Sequence, residues 1–261
     1  MLHSDWKQLF LLVALLPGFV DARESREEQP EVLVSAAASL RSALQETVER
    51  FKPLYPGGSV ALNTASSGVL LTQIEHGAPV DLFLSASSLE IDRLVEQGLV
   101  WNRSRVPIAS NRIVVVVPRG QEPPGQLEDL AGPRFDRIAI GNPSTVPQGR
   151  YAKQALQTLG LWETIEARIV LAENARQVLD YVSRGEVSAA LVYATDAILL
   201  PDSVTEGPLA PAGSHAFILY EGAVPKEAPH PQRGHDLLDF LISEEGQEIL
   251  ARKGFLPPPG Q

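Results

Sequence analysis

The chain has no cysteine among its 261 residues. This excludes a disulfide framework and any thiolate metal site, and it removes the residue that a bacterial lipoprotein anchor needs at its cleavage point. Histidine is also sparse: His3, His76, His215, His230 and His235 form neither an HExxH motif nor an i, i+4 pair, so no zinc site is expected. No strand is followed by GxGxxG or GxxxxGK[ST], which excludes the usual dinucleotide and P-loop phosphate cradles. GxSxG is missing too. Positive charge is in the minority, with 22 Lys and Arg against 32 Asp and Glu, a net of −10. A chain of this balance is a poor partner for nucleic acid or an anionic membrane surface. A small anion is not excluded, because local N–H dipoles can attract what the global charge repels.

What is present begins with an export pattern. Lys7 precedes a run over residues 9–20 that is apolar apart from Pro17 and Gly18, and Val20-Asp21-Ala22 supplies a small-residue cleavage site. The run is short for a membrane span, so residues 1–22 are read as a secretory signal peptide cleaved near Ala22. Removing Lys7, Asp5 and Asp21 leaves 21 basic and 30 acidic residues, a net of −9. The mature product is expected free in a periplasm, after a charged leader over residues 23–30.

From residue 31 onward, β-like and helical patterns alternate. Residues 32–34 are a short buried strand, after which Leu40, Ala43, Leu44, Thr47, Val48 and Phe51 fall on one helical face, with Ser39 at the expected N-cap. The same grammar recurs. Residues 59–64 run through Ala65-Ser66-Ser67-Gly68 into a helix that stops at Gly77, with Ser67 as its cap. Residues 79–85 lead to a helix that stops at Gly98. Residues 113–117, IVVVV, have the β-branched density of a strand covered on both faces. Residues 138–140 run through Pro147 and Gln148 into a helix stopped by Gly160. Residues 169–171 lead to a helix around Ala175, stopped by Gly185. Residues 187–192 end at Tyr193. A late strand is expected over 216–220 and a two-part helix over 234–255. The pattern predicts an α/β fold with parallel sheets.

The chemistry left after these exclusions is a set of uncharged donors at helix starts. One Ser-capped helix is commonplace and implies no ligand. Repeated starts at Ser39, Ser67, Gln148 and Ala175, with Tyr193 at a strand end, suit a doubly charged oxyanion, which wants several N–H and O–H donors and little counter-charge. A secreted Ser hydrolase is the rival of another class: Ser39, Ser67 and Ser85 sit at strand ends, and His215 is its best candidate base.

Five segments carry a resemblance. They are Ala36-Ala37-Ala38-Ser39-Leu40; Ala65-Ser66-Ser67-Gly68 with residues 73–83, QIEHGAPVDLF; Gly141-Asn142-Pro143 with residues 146–153, VPQGRYAK; Ala172-Glu173-Asn174-Ala175-Arg176; and residues 192–197, VYATDA. In this order, over about residues 31–257, they resemble the periplasmic molybdate-binding proteins of ABC transport systems. The resemblance implies a bilobal type II periplasmic binding protein fold, two α/β domains joined by a hinge crossed twice. Domain I would hold residues 31–110 plus 212–261, and domain II residues 111–211. It implies a ligand, molybdate or tungstate, held by the Ser39 and Ser67 hydroxyls and amides, the backbone N–H groups of Gln148 and Ala175, and the Tyr193 hydroxyl. Molybdenum would enter only as that oxyanion. It further implies no cofactor, no catalysis, a monomer, and a separate inner-membrane permease with its ATPase as partners. Gln148 stands where a small residue is common in that family and Ala175 where a larger aliphatic is common, so contact by the Gln148 side chain stays open. Ser39 is expected both to cap its helix and to donate to ligand. A tungstate-specific, sulfate or phosphate site is the alternative, with Asp196 as the one tempting acceptor for a phosphate proton.

Overall fold

The computed structural model describes residues 31–56 and 58–259. The expected signal peptide and charged leader lie outside the described residues. The first sheet has the order β2-β1-β3-β10-β4, built from β1 (Glu31–Ala37), β2 (Ser59–Ala65), β3 (Leu82–Ser85), β4 (Val106–Ser110) and β10 (Leu219–Ala223). The second has the order β7-β6-β8-β5-β9, built from β5 (Ile113–Pro118), β6 (Ile138–Gly141), β7 (Ile169–Ala172), β8 (Ala189–Tyr193) and β9 (Val204–Leu209). The chain passes from first sheet to second between Ser110 and Ile113, and back between Leu209 and Leu219. Each sheet is the floor of one α/β lobe.

The sheets are mixed, not parallel as expected. β1 pairs in parallel with β2 and β3, and β6 with β7 and β8. β10 runs antiparallel to β3 and β4, and β5 runs antiparallel to β8 and β9. The antiparallel strands flank the two crossings. A strand that enters a lobe from the other sheet has no crossover helix to reverse it, so it lies antiparallel to the βα units. The late strand begins at Leu219 and not at residue 216, because residues 210–218 carry the return crossing.

Helix periodicity translates directly into packing. α1 (Arg41–Phe51) buries Ala43, Leu44, Thr47, Val48 and Phe51. α2 (Ser67–Glu75) and α3 (Ser88–Glu96) cover the first sheet with Leu70, Ile74, Ile91 and Leu94. On the second sheet, α4 (Pro147–Thr158) buries Tyr151, Ala152, Ala155 and Leu156. After the short α5 (Trp162–Ile165), α6 (Ala175–Ser183) buries Val178, Leu179 and Val182, and α7 (Ala194–Leu199) follows β8. The C-terminal helix is two-part, α8 (Pro231–Ile242) and α9 (Glu244–Arg252), broken where Ser243 caps α9 by accepting from the Gly246 amide. Gly77 and Gly98 stop α2 and α3 at φ +84° and +73°, which a side-chain-bearing residue adopts only under strain.

The largest apolar cluster runs through both lobes and meets at the hinge. There Tyr193 lies 5.8 Å from Tyr220, and Tyr220 lies edge-on to Phe255 at 5.3 Å. These three rings join β8 of one lobe to β10 and the C-terminus of the other, within the distance range where aromatic pairs attract.

Candidate functional site

Four helix starts and one strand end converge between the lobes. A small cavity there, with about 10 Å³ open to the centre of a water molecule, is lined by Ser39, Ser67, Gln148, Ala175 and Tyr193 together. That volume is about what a single water molecule needs. The remaining lining is Ser66 and small or apolar residues, including Ala37 and Ala38, and no charged side chain takes part. The alanines before Ser39 thus leave the backbone close to the cavity.

The serines do not act as the expected caps. Residues 38–40 form a single 3-10 turn, and α1 starts at Arg41 behind Leu40, without a side-chain cap bond. The Ser39 hydroxyl is instead 2.9 Å from the Tyr220 hydroxyl. Ser67 is the first residue of α2; the N-cap is Ser66, which also makes no cap bond. α4 likewise starts uncapped, behind Val146, with Pro147 in its first turn. Uncapped starts leave amide N–H groups free to meet a ligand. α6 differs: Asn174 accepts from the Gln177 amide, leaving the Ala175 amide, at the first position, uncommitted to that cap.

The partners of the two serine hydroxyls leave them able to donate inward. The Ala86 amide donates to Ser67 Oγ at 3.1 Å, so the Ser67 proton stays available. Ser39 stands at the end of a chain of hydrogen bonds. The Arg112 amide donates to Asn111 Oδ1 at 2.9 Å, which fixes Nδ2 as the other end of that amide. Asn111 Nδ2 donates to the Tyr220 hydroxyl at 3.3 Å and to Thr195 Oγ1 at 2.9 Å. The Tyr220 oxygen accepts from Asn111 and also meets the Ser39 hydroxyl, where either atom can be the donor; when Tyr220 donates, the Ser39 proton is left for the cavity. Burial and the neighbouring Asp196 raise the Tyr220 pKa far above the usual phenol value, so its proton stays in place.

Gln148 is buried, and its side chain is turned away from the cavity. Its Oε1 accepts from the Gly141 amide at 2.8 Å and its Nε2 donates to the Leu191 carbonyl. It bridges β6 and β8 beyond their short ladder, which leaves only its backbone toward the site. This close seating needs Gly149, where a Cβ would fall 1.8 Å from the Gly141 carbonyl oxygen.

Two buried hydroxyls that line the cavity, on Ser66 and Tyr193, have no hydrogen-bond partner among the described residues. The Tyr193 hydroxyl is near that of Tyr220 without hydrogen-bond geometry between them, and burial raises its pKa well above the phenol range. An unpaired buried hydroxyl costs about 1–3 kcal/mol, so both are cheap to satisfy with an incoming acceptor. Ser66, Asn111 and Tyr220 were not among the site residues expected from sequence. The partner that reveals Ser39 is 181 positions away, and no local pattern signals it.

The rival readings lose their residues. His215 is half-buried, its Nδ1 is 2.7 Å from the Ala216 carbonyl, and it does not line the cavity. Ser85 donates to the Ser87 carbonyl at 2.8 Å, also away from the cavity. Asp196 is buried outside the lining, so it offers no acceptor for a phosphate proton. Among the described residues, no group of three or more His, Cys, Asp or Glu is placed to hold a metal ion.

The model of the bacterial extracellular solute-binding protein family matches residues 32–256. The chain belongs to that family. Among its relatives, the molybdate-binding protein ModA of Escherichia coli is 34% identical over 258 residues, covering 96% of this chain and 97% of that one. The putative ABC transporter substrate-binding lipoprotein YvgL of Bacillus subtilis is 34% identical over 247 residues, 94% of each. Among solved structures, the periplasmic molybdate-binding protein of Azotobacter vinelandii superposes with a TM-score of 0.78 at 25% identity, covering 87% of this chain and 99% of that one. The two-lobed α/β architecture of this solute-binding protein is therefore the type II periplasmic binding protein fold.

Proposed function

We propose that this solute-binding protein captures molybdate or tungstate between its lobes in the periplasm and presents it to an ABC transporter. The observation that carries the reading is the composition of the cavity: hydroxyls and free helix-start amides from both lobes, with no charged side chain in the lining. The assigned contacts are the hydroxyls and amides of Ser39 and Ser67, the amides of Gln148 and Ala175, and the hydroxyl of Tyr193. The proposed lobes are residues 31–110 plus 212–261 and residues 111–211, supported by the sheet to which each strand belongs. The protein works as a monomer and as a binder, not an enzyme. The transporter's membrane permease and ATPase are separate chains, and the closed form is what the inner-membrane permease reads.

The mechanism follows from where the donors sit. Ser39 and Ser67 belong to one lobe, and Gln148, Ala175 and Tyr193 to the other, so an anion satisfies all of them only when the lobes are closed. Its contacts therefore differ between open and closed states, which is the condition for a ligand to shift that equilibrium. Each hydrogen bond to a charged acceptor contributes about 1.5–3 kcal/mol net. A cage of short side chains and backbone also selects by size. Sulfate has the same charge but is smaller, and it leaves donors stretched or unpaired.

A thermal-shift series tests this directly. Molybdate and tungstate should raise the melting temperature at micromolar concentration, while sulfate and phosphate should not. A shift with sulfate alone, or with none of the four, overturns the reading.

A further inference from the structure

The cavity is not the only place where the lobes meet. Arg150, in the first turn of α4, donates through Nη2 to Oε1 of Glu90, in the first turn of α3. The same nitrogen stands 3.5 Å from Ser87 Oγ, and the other Glu90 oxygen accepts from Ser85 Oγ at 3.3 Å. The Glu90 side chain is 3% exposed and that of Arg150 19%. Neither lines the cavity. Arg150 nevertheless follows Gln148 by two residues on the helix whose start faces it.

We propose that Arg150 and Glu90 form a latch that sets the affinity of the site without touching the anion. The inference rests on the oxyanion-capture reading. Glu90 and its Ser85 partner belong wholly to one lobe, and the guanidinium belongs to the other. Their attraction exists only when the lobes are closed, so it adds to the closed state whether or not ligand is present. A larger closed fraction raises the apparent affinity in proportion. A carboxylate this deep is tolerable because its counter-charge arrives with closure. Removing either partner strands the other in a poorly solvated place, which opposes closing. Pairing also keeps the Arg150 charge from acting as a free cation beside the cavity, where it would attract any dianion regardless of size. A second inter-lobe bond, from the Gly68 amide to the Thr145 carbonyl at 3.0 Å, joins the start of α2 to the loop before α4 and holds the same closed arrangement.

The test is a double-mutant cycle on the mature chain, with Arg150→Met, Glu90→Gln and the pair, titrated with molybdate by calorimetry. Each single variant should bind about 10- to 100-fold more weakly, and the double variant should lose clearly less than the product of the two. Wild-type affinity in both single variants, or losses that multiply, would overturn the latch. If the wild-type protein binds no molybdate, the capture reading is what has failed, and a second readout still decides the latch. The absence of cysteine lets one be introduced on each lobe, at the exposed Glu49 and Glu163, for spin-label distances without ligand. Arg150→Met should lengthen the mean separation, and an unchanged distribution would overturn the proposal.

Discussion

The Ser39 and Tyr220 hydroxyls stand 2.9 Å apart, and both side chains are buried. Through this contact a residue of the first β-strand loop leans on the strand that returns from the second lobe. Tyr220 is thereby a positioning residue: it accepts from Asn111 and holds the Ser39 hydroxyl at the edge of the cavity. Tyr220→Phe keeps the ring packing but removes that bond. It should weaken molybdate binding several-fold while Tyr193 and the ring stack stay in place. It should also lower stability by about 1–3 kcal/mol, since the Asn111 amide loses an acceptor. Calorimetry and chemical denaturation read the two effects separately.

The proposed direct contacts should cost more. Ser39→Ala and Ser67→Ala should each weaken binding about 10- to 100-fold, because one decade corresponds to about 1.4 kcal/mol. Tyr193→Phe should cost less where water can take the place of the hydroxyl. Unchanged affinity in both Ser variants would remove them from the site.

Ser66→Ala separates contact from structure. Its hydroxyl has no hydrogen-bond partner among the described residues, so the substitution should leave the melting temperature without added molybdate unchanged or slightly raised. If Ser66 donates to the anion, affinity falls; an unchanged affinity restricts it to lining.

Gly68→Ala addresses closure alone. A Cβ at this position would sit 2.7 Å from the Thr145 carbonyl oxygen, across the gap between lobes. Gly68 has no positive φ, so alanine introduces no backbone strain within its own lobe. The variant should fold normally, bind molybdate at least tenfold more weakly, and keep a larger radius of gyration in the presence of ligand by small-angle scattering. Full compaction with ligand would show that the backbones can part there at no cost.

Asp196 supplies a pH dependence. Desolvation pushes its pKa up to about 7, against the opposing pull of Arg176 and the Tyr193 backbone. In the unfolded chain the same carboxyl titrates near the ordinary value of about 4. Between these values the folded chain holds a proton that the unfolded chain has released. Its contribution is therefore most favourable below about pH 4 and declines as pH rises to about 7, by at most about 1.4 kcal/mol per unit. Asp196→Asn should remove this slope. Melting curves of wild type and variant should diverge in favour of the variant from pH 4 to 7 and then run parallel. Parallel curves throughout would mean that the carboxyl titrates alike in the folded and the unfolded chain.

The alternation of strand and helix was legible because burial imposes periods of two and 3.6 on the residues themselves, as on α1 and α6. β4 and β9 were not. Each is an edge strand, and Pro107 and Pro208 lie within them. Proline is tolerated at an edge but masks the strand pattern. Mixed sheet direction was hidden for a different reason: it follows from the two lobe crossings, which no local pattern records. At the site, the residue types at the helix starts could be read directly, but their assembly came from the resemblance of whole segments. What the side chains do there depends on partners far along the chain. Ser39 faces Tyr220 instead of capping, and Gln148 spends its amide on Gly141 and Leu191.

A crystal structure of the mature protein with molybdate, phased on molybdenum, tests the central claim most directly. The anomalous peak should fall inside the cavity between the lobes. Oxyanion oxygens should then lie within about 2.6–3.2 Å of the Ser39, Ser67 and Tyr193 hydroxyls and the Gln148 and Ala175 amides. A peak elsewhere, or one in the cavity with its oxygens bonded chiefly to Lys or Arg side chains, would contradict it.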